Sequence, residues 1–387
     1  MRTKKKSSLT INLLLAGLAA AYLPAHAAGQ SIFHVFPTPN DNANNGLFAV
    51  SASSPSDIWA VGDSTIHFDG TKWTAFEAPM ISGQNTSFLQ GVADISPTQA
   101  WAVGNVVDGA SPGPVIELWD GNEWSVFTRL TFAAPGDQAE LFGITAIEAN
   151  DIWAVGLAAI EGIGFNLFEH WDGTDWTPTT IQGNNDILLA VSSDATNDVW
   201  AVGYSGFVAE NSKPLVYHYD GTTWQTVKVP SVGAADEFTA VVALAPNDVW
   251  AVGTSIAVEH DPTVTLIEHY DGSQWSVVSS PNVGPNSANQ SNRLFGITAV
   301  SPTDIWAFGS YFAANGSGHQ MTLLEHWNGS AWSIATSPNP TKGGFLDDVL
   351  FGGVVTAPGS VWIVGSEDTA DPNQPIFSTL VLHTTGG

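Results

Sequence analysis

The segment from Leu294 to Gly309 reads LFGITAVSPTDIWAFG, and its pattern decides the fold. A mostly apolar run, Leu294–Val300, is followed by the turn-like segment Ser301–Asp304 and by a second apolar run, Ile305–Gly309. Short apolar runs separated by Pro and Asp are typical of antiparallel strands joined by a tight turn. The segment therefore predicts the first two strands of a β-sheet.

The end of this segment recurs along the whole chain. Trp-Ala-Val-Gly, or a close variant, begins at Trp59, Trp101, Trp153, Trp200, Trp250, Trp306 and Trp362. Successive copies are 42, 52, 47, 50, 56 and 56 residues apart. A period near 50 residues with strand-like content predicts a β-propeller with one blade for each copy.

Each copy continues into a predicted hairpin. In the sixth copy, Met321–Trp327 reads as a third strand, Asn328-Gly329 as a two-residue turn and Trp332–Ala335 as a fourth strand. The other turns are Asp-Gly pairs that begin at Asp69, Asp120, Asp172, Asp220 and Asp271. Both dipeptides favour type I′ turns, whose central residues need positive φ. We therefore expect an all-β fold of seven blades, each with four antiparallel strands.

The two ends of the chain predict how the ring closes. The seventh copy stops at Leu380–His383 without a fourth strand, and residues 32–40 align with residues 332–340. The N-terminal strand of the mature chain would then complete the last blade and remove an open edge. Residues 28–387 are accordingly expected to form a single propeller domain.

The first 27 residues have the features of a signal peptide. Four cations precede the short apolar run Ile11–Leu23, and the small residues of Ala25-His26-Ala27 follow it. This arrangement predicts cleavage near Ala27, and the apolar run is short for a membrane span. We therefore expect a secreted or periplasmic protein that is not inserted in a membrane after cleavage.

Charge and cysteine content narrow the possible functions. Cleavage would leave six cations and 37 acids, a formal charge of −31. Such a surface repels nucleic acids and anionic lipids, and suits neutral sugars or a basic protein. Cysteine is absent, which excludes disulfides and zinc–thiolate sites. No cofactor is predicted, although acidic loops leave loop-bound calcium open.

The connections predict two unlike faces. Those between the first and second strands, and between the third and fourth, are short and repetitive; we call their side the tight-turn face. The others vary in length and define the variable-loop face, where binding residues tend to lie. One set was expected at Asn105–Pro114, Leu157–Asn166, Tyr204–Pro214, Thr254–Thr265 and Ser310–Gln320. The candidate ligand-binding aromatics on this face are Phe132, Tyr204, Phe207, Tyr311 and Phe312.

Histidine and aspartate recur once in most copies. The expected pairs are His67 with Asp57, His170 with Asp151, His218 with Asp198, His269 with Asp248 and His326 with Asp304. The second copy lacks both residues, with Leu118 and Gln99 instead, and the seventh keeps His383 but has Ser360. The joint loss predicts a structural hydrogen bond inside each blade. A ring of metal ligands is excluded, because equivalent positions in separate blades lie too far apart.

Glutamate recurs beside that histidine position at Glu117, Glu169, Glu268 and Glu325. Paired carboxylates can act as acid and base in glycoside hydrolysis. One copy in each of several blades indicates a scaffold role, since catalysis normally needs an asymmetric site. No catalytic residue is predicted.

The Trp-Ala-Val-Gly and Asp-Gly-x-x-Trp elements resemble repeats of secreted bacterial propellers of the kelch/galactose-oxidase-like type, over residues 31–383. The second element also resembles the Asp-box of sialidases, with one residue fewer between Asp and Trp. Galactose oxidase needs a Cys–Tyr cross-link, which a chain without cysteine cannot form. Sialidases bind the substrate carboxylate with three arginines, and the mature chain has two, Arg129 and Arg293. The resemblance thus implies the architecture rather than an activity.

Three functions remain open from the sequence. The first is a non-catalytic module that binds a carbohydrate or an extracellular protein through the variable-loop face. The second is an extracellular structural or assembly protein with one protein partner. The third is a glycan-acting hydrolase that uses loop carboxylates.

Overall fold

In the computed structural model, the described residues are 32–40, 44–77, 79, 87–106, 113–129, 137–206, 211–258, 262–284, 291–312, 319–340, 347–368 and 377–384. Within them every regular element is a β-strand, and they belong to one compact unit, Ser31–Gly387. The predicted signal peptide, residues 1–27, lies outside this part of the chain. Among the described residues, no helix meets the length and apolarity that a membrane span requires.

The strands form seven antiparallel sheets of four strands, as predicted. The strands of blades 1 to 3 are β2 (Leu47–Ser54), β3 (Asp57–Gly62), β4 (Thr65–Phe68), β5 (Trp73–Phe76), β6 (Ser87–Ser96), β7 (Gln99–Val106), β8 (Gly113–Trp119), β9 (Trp124–Arg129), β10 (Gln138–Glu148), β11 (Asp151–Ile160), β12 (Ile163–Trp171) and β13 (Trp176–Gln182). Those of blades 4 and 5 are β14 (Asp186–Ala195), β15 (Asp198–Ser205), β16 (Lys213–Tyr219), β17 (Trp224–Thr226), β18 (Ala235–Ala245), β19 (Asp248–Ile256), β20 (Val264–Tyr270) and β21 (Trp275–Val277). Those of blades 6 and 7 are β22 (Asn292–Ser301), β23 (Asp304–Phe312), β24 (Gln320–Trp327), β25 (Trp332–Ala335), β26 (Asp348–Ala357), β27 (Ser360–Asp368), β28 (Phe377–Thr384) and β1 (Phe33–Val35).

The blades form a closed ring. The first strand of each blade contacts the first strand of the next, and β26 of blade 7 contacts β2 of blade 1. Seven apolar clusters fill the spaces between neighbouring blades. The motif tryptophan of each second strand is at most 5% exposed and belongs to one of these clusters.

The N-terminal strand completes blade 7, as the alignment of the two chain ends predicted. β1 pairs antiparallel with β28, in the register Phe33–Thr384, His34–His383 and Val35–Leu382. Phe33 is 1% exposed, and its ring meets Trp306 edge-on at 5.0 Å. Further along, the Asn40 side chain accepts a hydrogen bond from the Thr379 amide at 2.8 Å. The two ends of the chain are therefore joined by backbone pairing, apolar packing and a side-chain cap.

A β-bulge interrupts every first strand at the same place. The pairing with the second strand skips one residue at Phe48, Gln90, Phe142, Leu189, Thr239, Phe295 and Phe351. The glycine of Trp-Ala-Val-Gly lies opposite the residue before the bulge. A Cβ on that glycine would lie 1.8 to 2.1 Å from a backbone oxygen of the first strand. The motif therefore ends in glycine because the two backbones are too close for a side chain.

We expect Gly253→Ala to unfold the protein at lower denaturant concentration, with a loss of about 1–3 kcal/mol or more, the range for overpacked cores. The new methyl group would lie 1.9 Å from the Glu237 carbonyl oxygen. Gly164→Ala is the matched control, because nothing lies within 4 Å of its added Cβ. Equal stability of the two variants in urea unfolding would contradict the close-approach explanation.

The closing strand gives a second prediction. Replacing Phe33 by Ala should cost about 3–5 kcal/mol, the usual penalty for a buried phenylalanine, and should open the ring at blade 7. Val35→Ala, in the same strand and 46% exposed, should change stability by less than about 0.5 kcal/mol. Chemical denaturation of both variants measures the difference, and a mild Phe33 variant would show that closure does not need this strand.

Candidate functional site

The five histidine–aspartate pairs proposed from the sequence lie within hydrogen-bonding distance. The distances from His Nε2 to Asp Oδ1 are 2.7 Å for His67–Asp57, 2.9 Å for His170–Asp151, 2.5 Å for His218–Asp198, 2.8 Å for His269–Asp248 and 2.8 Å for His326–Asp304. In each blade the imidazole also lies against the repeat tryptophan, as in the stacked pair Trp153–His170 at 4.1 Å. This geometry holds the third strand against the second.

The two blades that depart from the pattern differ in chemistry. In blade 7, Ser360 Oγ lies 3.0 Å from His383 Nε2 and 2.8 Å from Thr356 Oγ1. Burial lowers the pKa of His383, and its ring stacks on Trp362 at 3.8 Å. In blade 2 the register places Leu118 beside Trp101, so an apolar contact replaces the imidazole.

The repeated glutamates lie between blades rather than at a surface. Glu117, Glu169, Glu268 and Glu325 are at most 1% exposed. Within the described residues, neither carboxylate oxygen of Glu169 or Glu268 has a hydrogen-bond partner. Desolvation raises the pKa of Glu169 to about 7 and that of Glu268 to about 8, where Asp236 adds a smaller effect. Burial likewise raises the pKa of Glu325 to about 8, against a lowering by the Thr265 hydroxyl.

This burial gives the glutamates no access to a substrate. A general acid or base must reach the group with which it exchanges a proton. These side chains are enclosed by neighbouring blades, one in each of four interfaces. Their burial is not suited to glycoside hydrolysis.

The structure places three of the five candidate aromatics on strands. Tyr204 lies in β15 and is 9% exposed, so it is not the exposed loop residue that was expected. Tyr311 and Phe312 end β23 and are half-buried. The Tyr311 hydroxyl lies 3.6 Å from Met321 Sδ, and its ring packs on the apolar cluster between blades 5 and 6. Phe132 and Phe207 lie outside the described residues.

One expected loop is a tight hairpin. The segment Leu157–Asn166 continues as paired strands, and Ile160 pairs with Ile163 across a two-residue turn. Glu161 and Gly162 have φ values of 52° and 79°, which a type I′ turn requires. The expectation of a variable loop was wrong here, because the strand pairing of blade 3 extends to the turn itself.

The bulges create a ring of side chains that the sequence analysis did not single out. The bulge residues are Phe48, Gln90, Phe142, Leu189, Thr239, Phe295 and Phe351, and each is half-buried. The Phe351 ring lies 5.4 Å from both Phe48 and Phe295, its equivalents in the two neighbouring blades. Equivalent side chains come this close only where the blades converge. The seven bulge residues therefore surround the propeller axis. We call these seven residues the axial collar.

Close packing of the blades at the axis supports this position. The residue after each bulge is Gly or Ala: Ala49, Gly91, Gly143, Ala190, Ala240, Gly296 and Gly352. A Cβ on Gly352 would lie 3.0 Å from the Phe48 carbonyl oxygen of the next blade, and one on Gly143 would lie 3.0 Å from that of Leu189. The pattern of a large apolar residue before Gly, as in Phe295-Gly296, was the available sequence signal.

The collar is asymmetric although the scaffold repeats. Phenylalanine occupies the three consecutive blades 6, 7 and 1, and apolar residues occupy blades 3 and 4. Polar residues separate these two arcs: Gln90 in blade 2 and Thr239 in blade 5. The Thr239 hydroxyl donates to the Leu294 carbonyl at 2.8 Å, which ties blade 5 to blade 6. None of the five apolar collar residues belongs to an inter-blade cluster among the described residues.

Four carboxylates lie at the variable-loop end of blade 7. Asp348 and Glu367 are paired residues of β26 and β27, and Asp347 and Asp368 precede and follow them. Burial, with Asp348 nearby, raises the pKa of Glu367 to about 7. The pKa of Asp368 is raised mainly by burial. In the described part of the chain, no group of three or more His, Cys, Asp or Glu side chains is arranged to hold a metal ion.

Comparisons with known proteins bear on the fold alone. No family model and no curated protein matches the sequence. A structure of YCF48 bound to D1 peptide is 15% identical, with a TM-score of 0.57 over 93% of this chain and 97% of that chain. The WD40 repeats of RRP9 are 10% identical, with a TM-score of 0.54 over 91% and 97%. A PL25 ulvan lyase is 8% identical, with a TM-score of 0.50 over 87% and 93%. These similarities support the seven-bladed propeller.

The buried glutamates predict a pH dependence of stability. Their pKa values are raised in the folded state above the unfolded value near 4.5. Their contribution is therefore complete below pH 4.5 and is lost as the pH rises through about 7 to 8. We expect the melting temperature to fall by roughly several degrees between pH 5.5 and 8.5. Calorimetry across this range measures the fall.

The triple variant Glu169→Gln, Glu268→Gln and Glu325→Gln should be less sensitive to pH, because glutamine does not ionise. Glu123→Gln, an exposed residue of the blade 2 turn, is the control and should keep the native profile. A triple variant with the same pH profile as the native protein would show that these carboxyls do not titrate as described.

Proposed function

We propose that this chain is a non-catalytic binding propeller that acts outside the cytoplasm. It holds a protein or carbohydrate ligand on its variable-loop face, over the axial collar. The observation that carries this proposal is the collar itself: five apolar side chains, half-buried, that no inter-blade cluster uses in the described residues. Apolar side chains left open at a concave surface are typical of binding sites.

The position of the collar favours recognition on the variable-loop face. Each first strand begins on that face, and Phe351 follows the first residue of β26, Asp348, by three positions. At about 3.3 Å for each residue, the collar lies roughly 10 Å below that rim. A ligand that contacts the loops could therefore place one side chain or one sugar ring among the phenyl groups.

The two repeated sets of polar residues, the histidine–aspartate pairs and the glutamates, favour binding over catalysis. The histidine–aspartate pairs are repeated in five blades, and the glutamates are enclosed between blades. Neither set forms the asymmetric, accessible group that a reaction needs. Among the similar folds, YCF48 is named with a bound peptide and the ulvan lyase with a bound saccharide, so both ligand classes suit the propeller.

The double variant Phe295→Thr and Phe351→Gln should lose the ligand without unfolding. Threonine and glutamine occupy the same bulge position in blades 5 and 2, so the fold accommodates them. We would screen the mature protein, residues 28–387, and this variant side by side on a glycan array and in pull-downs. Binding is expected for the native protein and at least about tenfold weaker binding for the variant, because a buried aromatic contact is lost.

The variants Tyr311→Ala and Phe312→Ala test whether the candidate aromatics on β23, rather than the collar, bind the ligand. Tyr311 packs on the cluster between blades 5 and 6, so its loss should lower stability more than binding. A ligand that remains bound to the collar variant with native affinity would refute the collar as the binding site. Absence of any ligand in both screens would refute the proposed function.

A further inference from the structure

The three phenylalanines of blades 6, 7 and 1 and the carboxylates beside them form one continuous sector of the variable-loop face. The rings are Phe295, Phe351 and Phe48, in contact at 5.4 Å. The acids are Asp63, Asp347, Asp348, Glu367 and Asp368. We call these eight residues the acidic–aromatic sector. In blades 3 and 4, Glu140 and Asp186 also precede apolar collar residues, and the sector differs from them by having phenyl rings that contact one another.

Asp63 connects the two halves of the sector in blade 1. A Cβ built on Gly46 would lie 3.0 Å from Asp63 Oδ2 and 3.6 Å from the Phe48 ring. The carboxylate and the ring therefore flank the same glycine. Burial raises the pKa of Asp63, so this carboxylate is partly withdrawn from water beside an apolar ring.

In blade 7 four carboxylates crowd the ends of two paired strands. The Asp347 amide donates to Asp368 Oδ2 at 3.3 Å, and the Asp368 amide donates to the Asp347 carbonyl at 2.9 Å. Asp347 Oδ1 accepts from the Gln320 amide at 2.7 Å and lies 3.6 Å from His319 Nδ1. Like charges this close repel one another, and a cation bound beside them would relieve that repulsion.

Among the described residues, no ion pair joins Lys213 or Arg293 to these carboxylates. Arg293 lies in β22 of blade 6 and is exposed. The Lys213 ammonium, in blade 4, donates to Ser231 Oγ and to the carbonyls of Gly233 and Ala234. Acids outnumber cations by 37 to six in the predicted mature chain, so this face attracts a positively charged partner.

We propose that the acidic–aromatic sector binds a positively charged polypeptide segment, which places a large apolar side chain against Phe295, Phe351 and Phe48. This inference rests on the proposed function and names its ligand. The apolar side chain fills the aromatic half of the sector. Lysine or arginine residues next to it pair with the carboxylates and can lie over the phenyl faces, where cations are attracted to the ring electrons.

The test begins with a displayed library of random 12-residue peptides, selected on the immobilised mature chain at 50 mM salt. Enriched peptides should carry Lys or Arg beside Leu, Phe, Trp or Met. Their synthetic forms would then be measured by fluorescence anisotropy. Raising salt from 50 to 500 mM should weaken binding about tenfold, because exposed charge pairs are screened. Enrichment of neutral or acidic peptides would overturn the inference.

Matched variants locate the contact. Phe295→Thr with Phe351→Gln should weaken the selected peptides at least about tenfold, whereas Phe127→Gln, an exposed phenylalanine of β9 outside the collar, should leave them within about twofold. Asp347→Asn with Glu367→Gln should weaken them about tenfold and reduce the salt dependence. Glu123→Gln with Asp175→Asn removes the same charge from the tight-turn face and should have no effect.

The outcomes separate this inference from the proposed function. Equal loss with Phe127→Gln, or equal effects of the two charge variants, would overturn the assignment to this sector. A glycan that binds the native protein and is lost in the Phe295→Thr/Phe351→Gln variant, while no cationic peptide is enriched, would keep the proposed function and overturn the polypeptide ligand. No binding by peptides or glycans would overturn both.

Discussion

The close approach of the first and second strands in every blade is the constraint on which the rest of the structure depends. The second strand passes so near the bulge that its last motif residue has no room for a Cβ, with backbone oxygen at 1.8 to 2.1 Å from the position one would take. The bulge turns its own side chain towards the axis, and the small residue after it lets the next blade pack closely. One glycine in each copy thus permits the close pairing of the first two strands beside the bulge.

A second layer of interactions fixes each blade internally. The histidine of the third strand lies against the repeat tryptophan and meets an aspartate of the second strand, as in His269 and Asp248 at 2.8 Å. Between blades, burial raises the pKa of Glu169, Glu268 and Glu325 well above the usual value for a glutamate. A neutral carboxyl is less costly to bury than a charged one, which explains how an acidic protein accommodates these side chains. The consequence is a stability that is expected to decrease as the pH rises from about 4.5 towards 7 to 8.

Function in a repeated scaffold arises where the repeats differ. The His–Asp pairs and tight turns are nearly the same in each blade, and they hold the disc together. The collar residues change from Phe to Gln, Leu and Thr around the axis, and the carboxylates gather beside blade 7. A single asymmetric site can therefore exist on a scaffold whose backbone is close to seven-fold symmetric. The kelch/galactose-oxidase-like type of the repeats and the secretion of the chain stay predictions.

The sequence by itself determined the number of blades, their four strands, the closing strand and the partners in each His–Asp pair. These follow from local signals: a period near 50 residues, turn dipeptides, and residues that are lost together in blade 2. The tertiary structure decided which side chains meet at the axis, because Phe48, Phe295 and Phe351 are neighbours only after the ring closes. It also decided that Tyr204 is buried and that Leu157–Asn166 is a hairpin. Those outcomes depend on strand length and on packing between blades, which a one-dimensional pattern does not contain.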